Sequence, residues 1–187
     1  MNSSPRSEGA LLEAALGGDC GAFDALVEGC RGAPARFIEA MIGDAAAAED
    51  LVQDAARIAF EKLGEFERRG KFSTWLYSIA LNLARNYRRD RARRARPADL
   101  DAQPSPLRGA LSSIVRRETA EQIALALERL PPSLREAFAL RYVEGLDYDE
   151  IETITGVKAR TLHVRAHRAR GLLRAQLGSV VDTAWKP

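Results

Sequence analysis

The sequence predicts an all-α chain of two small helical domains joined by a flexible linker. Three observations carry that expectation. Aromatic residues make up only 6% of the chain, while Ala, Leu and Arg, all good helix formers, recur throughout. Apolar residues return at steps of three and four in both halves, and no long stretch alternates β-branched with polar residues as a strand would. Between the halves, residues 97–109 hold three prolines, Asp99, Asp101 and no apolar period, which is linker composition. The 187 residues suffice to bury a core in each half.

In order, residues 1–7 carry no periodic signal and are expected to be disordered. Leu11, Leu12, Ala15 and Leu16 make a short helix ended by Gly17-Gly18. Asp19 suits the cap of a second helix with Ala22, Phe23, Leu26 and Val27 inward. Gly29, Gly32 and Pro34 interrupt it before Phe37, Ile38, Met41 and Ile42 resume the stripe. Gly43 ends that helix and Asp44 caps the next, from Ala45 to about Leu63, whose outer face holds Glu49, Asp50, Gln53, Asp54, Arg57 and Glu61. A loop from Gly64 to Lys71, carrying Phe66 and Arg69, leads to the stretch with the most chemistry.

In that stretch Phe72, Leu76, Ile79, Leu83 and Tyr87 share one helical stripe, with Ser73 suited to cap it. The other side carries Thr74, Tyr77, Ser78, Asn82, Arg85, Asn86 and Arg89, and Arg88 and further arginines follow. Aromatics, amides and arginines with no carboxylate before Asp90 suit opened nucleic acid, where bases stack on aromatics and cations neutralise phosphates. An ordinary core helix with a solvated basic end is the plainer alternative.

Beyond the linker, helical period restarts near Leu111 and is clear at Ile123, Leu125, Leu127 and Leu130. Pro131-Pro132-Ser133 starts a helix with Leu134, Ala137, Phe138, Leu140 and Tyr142, ended by Gly145. Asp147 and Glu150 form a capping box, Ile151 and Ile154 face inward, and Thr155-Gly156-Val157 turns into a long basic helix from about Ala159 to Leu177. Leu162, Ala166, Ala169 and Leu173 line its inner side, while Arg160, Val164 and His167, flanked by His163 and Arg168, lie outside. Helix, glycine turn and basic helix make a helix-turn-helix pattern, which reads duplex DNA through its second helix. An ordinary helical hairpin is the alternative.

Net charge is +2, but its distribution is uneven. Residues 44–67 sum to −5, whereas residues 85–96 and 158–176 sum to +6 each. One negative surface and two positive ones fit a protein partner and a polyanion. No nucleophile–base pair, phosphate-cradling loop or apolar carboxylate pair is present, so no enzyme and no cofactor is expected. His163 and His167 stand at i and i+4 but lack a third metal ligand. Cys20 and Cys30 are expected to be idle free thiols, with redox sensing the minor reading. No apolar run approaches the roughly 20 residues that span a bilayer, and residues 1–13 show no secretory pattern. The expected location is the cytoplasm.

These stretches together resemble the small extracytoplasmic-function, or group IV, sigma factors of the bacterial sigma-70 family. The resemblance rests on Ala48-Glu49-Asp50-Leu51-Val52-Gln53-Asp54, Phe72-Ser73-Thr74-Trp75-Leu76-Tyr77-Ser78-Ile79-Ala80, Leu130-Pro131-Pro132, Leu140 to Leu146 and His167-Arg168-Ala169-Arg170, and it spans about residues 10–177. It implies a region 2 domain at 8–95, a linker at 96–115, a region 4 domain at 116–178 and a tail at 179–187. Glu49, Asp50, Leu51, Gln53, Asp54 and Arg57 would then dock on core RNA polymerase at the β′ clamp helices, with the β subunit a further contact. Phe66, Arg69, Lys71, Phe72, Trp75, Tyr77, Asn82, Arg85, Asn86, Arg88 and Arg89 would capture and melt the −10 promoter element. Lys158, Ala159, Arg160, Thr161, His163, Val164, Arg165, His167 and Arg168 would sit at the −35 major groove. The linker would thread toward the polymerase active-site and RNA-exit channels, and an anti-sigma factor would be a further partner.

The chain also departs from that family. Lys158 stands where a capping residue is usual, and Ala159-Arg160-Thr161-Leu162-His163-Val164 replaces the common pattern, so the −35 sequence is not readable from family habit. A stand-alone helix-turn-helix regulator and a protein-binding helical adaptor are the competing functions.

Overall fold

Nearly every helix begins and ends where the sequence supplies a reason. The computed structural model describes residues 7–30, 32–67, 70–94 and 117–178; the linker, the tail and Arg69 lie outside them. Among the described residues all regular structure is helical. The Ser7 hydroxyl accepts from the Ala10 N–H to open α1 (Glu8–Leu16). Asp19 accepts from the Ala22 N–H at the head of α2 (Cys20–Cys30). After α3 (Gly32–Ile42), Gly43 turns the chain at a φ of 71°, which glycine adopts without strain, and Asp44 caps α4 (Ala45–Glu61). A 3-10 turn at Leu63–Glu65 precedes α5 (Phe72–Arg94).

In the second half come α6 (Arg117–Arg129) and α7 (Pro132–Phe138). Pro132 occupies the first turn of α7, where its missing N–H costs nothing. α7 widens into a π-helical stretch at Ala139–Val143. The capping box of Asp147 and Glu150 opens α8 (Tyr148–Thr155), Gly156 at a φ of 70° closes it, and α9 (Ala159–Leu177) follows.

Phe23, Phe37, Ile38, Met41, Phe72 and Leu81 fill the first half's core; Ile123, Leu127, Phe138, Leu140, Ile151, Leu162 and Leu173 fill the second's. Three expectations need correction. Ser73 does not cap α5, which begins one residue earlier; the Phe72 N–H instead donates to the Glu8 carboxylate at 2.9 Å. The buried side of α5 is rotated from the expected stripe. Tyr77 and Leu81 are enclosed while Ile79, Leu83 and Tyr87 are only half-buried, because α5 packs against α3, α4 and α8 together. Leu125 is exposed rather than inward.

The halves pack against each other, α3 on α6, α7 and the π-helical stretch, and α5 on α8. Arg135, only 3% exposed, crosses this seam. Its guanidinium donates to the carbonyls of Met41 in α3, at 3.0 Å, and of Leu130 and Glu128. Carbonyls at helix ends lack partners within the helix, and Arg135 serves two such ends at once. Burial, reinforced by repulsion from Arg88, lowers its pKa to about 10.

Candidate nucleic-acid interface

Three surfaces carry the residues singled out in the sequence. On α4, Glu49, Asp50, Gln53 and Asp54 are exposed, with Leu51 half-buried at their edge. Arg57 lies among them, pairing with Glu61 at 2.8 Å and with Asp54 at 3.4 Å. The face is therefore a continuous acidic strip that holds its one cation in place.

On α5 the expected DNA-facing residues divide. Asn82, Asn86 and Arg89 are exposed, and Arg89 donates to the Asn86 amide oxygen at 3.1 Å. Phe66 and Trp75 are half-buried, with ring centroids 5.2 Å apart, and both line a cleft of about 770 Å³ between the halves, where Lys71, Thr74 and Ser78 meet the carboxylates of Glu65, Glu67, Asp147, Asp149 and Glu150. The aromatic pair is a stacking platform of the kind a base out of its stack requires, while the carboxylates around it, one of them paired with Lys71, disfavour a phosphate in the closed cleft. Phe72, by contrast, is wholly buried edge-to-face against Phe23 and belongs to the core, not to a DNA surface.

Tyr77 was expected on the outer face and is 3% exposed. Its ring packs edge-to-face on Phe37, and its hydroxyl donates to Glu144 of the second half. Burial, then the Glu144 charge, pushes the Tyr77 phenol well above its ordinary range. Glu144 is itself raised by burial, with Arg36 at 3.6 Å acting in the opposite sense. Two cations of this surface are also engaged by the second half. Arg85 makes a bidentate pair with Glu136 at 2.9 and 2.7 Å, and Lys71 reaches Glu150 at 2.7 Å. Arg88, half-buried nearby, has its pKa lowered by burial.

On α9, Lys158, Arg160, Thr161, His163, Val164, His167 and Arg168 are exposed, and Ala159 and Arg165 are half-buried. Lys158 makes no side-chain cap. Glu152 of α8 supplies what is missing: it accepts from the Ala159 N–H at 2.7 Å and from the Lys158 ammonium at 2.9 Å. A carboxylate at a helix N-terminus also meets the positive end of the helix dipole. His163 lies 5.3 Å from the Tyr148 ring, over which Arg141 sits at 5.2 Å. Among the described residues no cluster of three or more His, Cys, Asp or Glu could hold a metal ion.

Glu136, Glu144, Glu150 and Glu152 are acidic residues whose part in this surface was not legible in the sequence. Glu150 was legible only as a capping residue. Nothing local signals a partner 51 or more positions away, as Glu136 and Glu144 have.

Comparison with known proteins matches these halves one by one. The family model for Sigma-70 region 2 matches residues 26–94, and that for Sigma-70, region 4 matches residues 120–173. The ECF RNA polymerase sigma-E factor of Escherichia coli K12 is 34% identical over 172 residues, covering 86% of this chain and 88% of that protein. The chain belongs to the extracytoplasmic-function sigma factors of the sigma-70 family. This sigma factor is also 32% identical over 170 residues, with 86% and 88% coverage, to the RNA polymerase sigma-H factor of Pseudomonas aeruginosa. A solved structure of CnrH in complex with the cytosolic domain of CnrY superposes with a TM-score of 0.71 at 25% identity, covering 92% of the sigma factor and 97% of that chain. The sigma factor RpoE, solved with the anti-sigma factor NepR from Bartonella quintana, shares the fold at a TM-score of 0.59 and 24% identity, with 81% and 91% coverage. Membership of this family favours a sigma factor over a stand-alone regulator and points to a protein that acts by binding.

Proposed function

We propose that this sigma factor binds core RNA polymerase and directs initiation at specific promoters, with each exposed surface taking one step. The exposed strip of α4, centred on Asp50, Gln53 and Asp54, docks on the β′ clamp helices. The region 2 domain, residues 8–95, captures the non-template strand of the −10 element. Phe66 and Trp75 stack an extruded base, Asn82 and Asn86 read base edges, and Arg85, Arg88 and Arg89 neutralise phosphates. The region 4 domain, residues 116–178, lays α9 in the −35 major groove, where arginine pairs bidentately with guanine O6 and N7. An anti-sigma factor and the polymerase β subunit complete its partners. The protein acts by binding, and its place of work is the cytoplasm; among the described residues no helix is long and apolar enough to cross a membrane.

One observation supports this reading most. A single chain presents an exposed, acid-free face on α9 and an exposed amide–arginine face on α5, so it carries separate equipment for closed and opened DNA. In vitro transcription with core polymerase, followed by start-site mapping, is the test. Transcripts from defined starts that depend on added protein are expected. Tight binding to duplex DNA alone, with no effect on polymerase, would instead favour a stand-alone regulator.

A further inference from the structure

Over its first three turns, residues 159–168, the outward face of α9 is cationic and polar apart from one large side chain, and the next exposed aliphatic on the helix, Leu172, stands two turns further on. Val164 is 60% exposed, more than Leu16, Phe60, Leu125 or Leu172, the other large apolar side chains left open. Scattered aliphatic residues on a surface need no explanation. This one differs by its position, on the second turn of the helix and ringed by Arg160, His163, His167 and Arg168, all exposed. The first turns of a recognition helix are the part that reaches base edges. Arg160 and Arg168 stand one turn before and one turn after Val164, about 6 Å away along the axis. The buried side of the helix is occupied by Leu162, Ala166, Ala169 and Leu173, so Val164 has no packing role.

The major-groove edge of DNA offers donors and acceptors at every pair and a single apolar group, the 5-methyl of thymine. A β-branched side chain in a helix holds one rotamer, so Val164 presents its two methyls in a fixed direction at little further entropy cost. We infer that Val164 is a specificity-determining residue that selects a thymine methyl in the −35 element, between the positions read by Arg160 and Arg168. The inference rests on the docking of α9 proposed above and adds the identity of one base.

The test uses holoenzyme assembled from the full chain and core polymerase. A −35 element is selected from a duplex library randomised upstream of a fixed −10 region. Each thymine in the selected element is then replaced by deoxyuridine, which keeps the pairing edge and lacks the methyl. One replacement is expected to weaken binding roughly three- to fivefold, the worth of about one buried methyl. Val164→Ser should lose a similar factor on the thymine promoter and become indifferent to that replacement. It should also keep the slope of affinity against salt, because no phosphate contact is removed. A selected element without thymine, or a wild-type protein blind to every replacement, overturns the inference without involving the variant. So does a Val164→Ser holoenzyme that still discriminates against deoxyuridine. If scrambling the whole element leaves holoenzyme binding unchanged, the docking of α9 itself fails, and the inference falls with it.

Discussion

Glu39 illustrates how a single buried group carries a pH dependence. It lies on α3, 9% exposed, and its Oε1 has no hydrogen-bond partner among the described residues. Burial, then repulsion from Glu49, raises its carboxyl to about 7. In the unfolded chain the same group loses its proton near its ordinary value, so between about pH 4.5 and 7 the folded state binds more protons. Stability should therefore fall as pH rises through that window and level off above it. Glu39→Gln should flatten the slope and stabilise the protein at pH 8 by about 1–2 kcal/mol, readable as a higher midpoint in thermal melts across pH 5–8. Glu144, also raised by burial, should leave part of the slope in place. The exposed acids of α4 behave differently. Ion pairs such as Arg57 with Asp54 contribute little to stability because both partners face water. Asp54→Arg should thus leave the melting midpoint nearly unchanged, yet weaken capture of core polymerase roughly tenfold by reversing a contact charge. An unaltered affinity would discredit α4 as the docking surface.

At the level of the helix, two N-termini are held by carboxylates from elsewhere in the chain. The first N–H of α5 donates to Glu8, 64 positions away. Loss of such a cap costs about 1 kcal/mol, so Glu8→Ala should lower the midpoint by roughly 2–4 °C in a chain of this size. Far-UV circular dichroism during heating would show it, and an unchanged midpoint would mean water replaces the carboxylate at no cost. Glu152 does the same for α9, whose own cap position holds Lys158. This pattern explains what the sequence could and could not disclose. Asp44, Asp147, Gly43 and Gly156 act on their own neighbours, and the helix ends they set were legible. The inner and outer faces of α9 were legible too, because the helix has only one packed side. α5 lies against helices on several sides, so its period pointed to the wrong buried face, and Tyr77 was misplaced with it. The π-helical stretch at Ala139–Val143 has no sequence signature here and was expected as ordinary helix.

For the molecule as a whole, the packing of one half on the other bears on how DNA would reach α5. Arg85 and Lys71, proposed for −10 DNA, are taken up by Glu136 and Glu150, and Tyr77 is covered with Glu144. Carboxylates of the second half thus compete with phosphate for Lys71 and Arg85, whose side chains stay 68% and 39% exposed, and only Tyr77 is closed off while the halves pack. The seam combines these pairs with apolar contact, since Phe37 and Met41 on α3 are fully buried. Removing charge should therefore loosen the seam without abolishing it. The Arg85–Glu136 pair is bidentate but partly open to water, with the Arg85 side chain 39% exposed. A contribution of about 1 kcal/mol is reasonable for it, which would shift the closed–open balance about fivefold when Glu136→Ala is introduced. The Lys71–Glu150 pair is more exposed and should respond most to salt, since screening at 1 M acts within about 3 Å. Dyes placed on α2 and on the C-terminal turn of α9 would report the separation by energy transfer. The double variant Glu136→Ala with Glu150→Ala should show a larger separated population at low salt. Added salt should move the unaltered protein in the same direction, and forked promoter DNA should find its surface on α5 more readily in the variant. If the distance distribution is the same in both proteins at every salt concentration, charge does not hold the halves together, and the apolar seam alone governs access to α5.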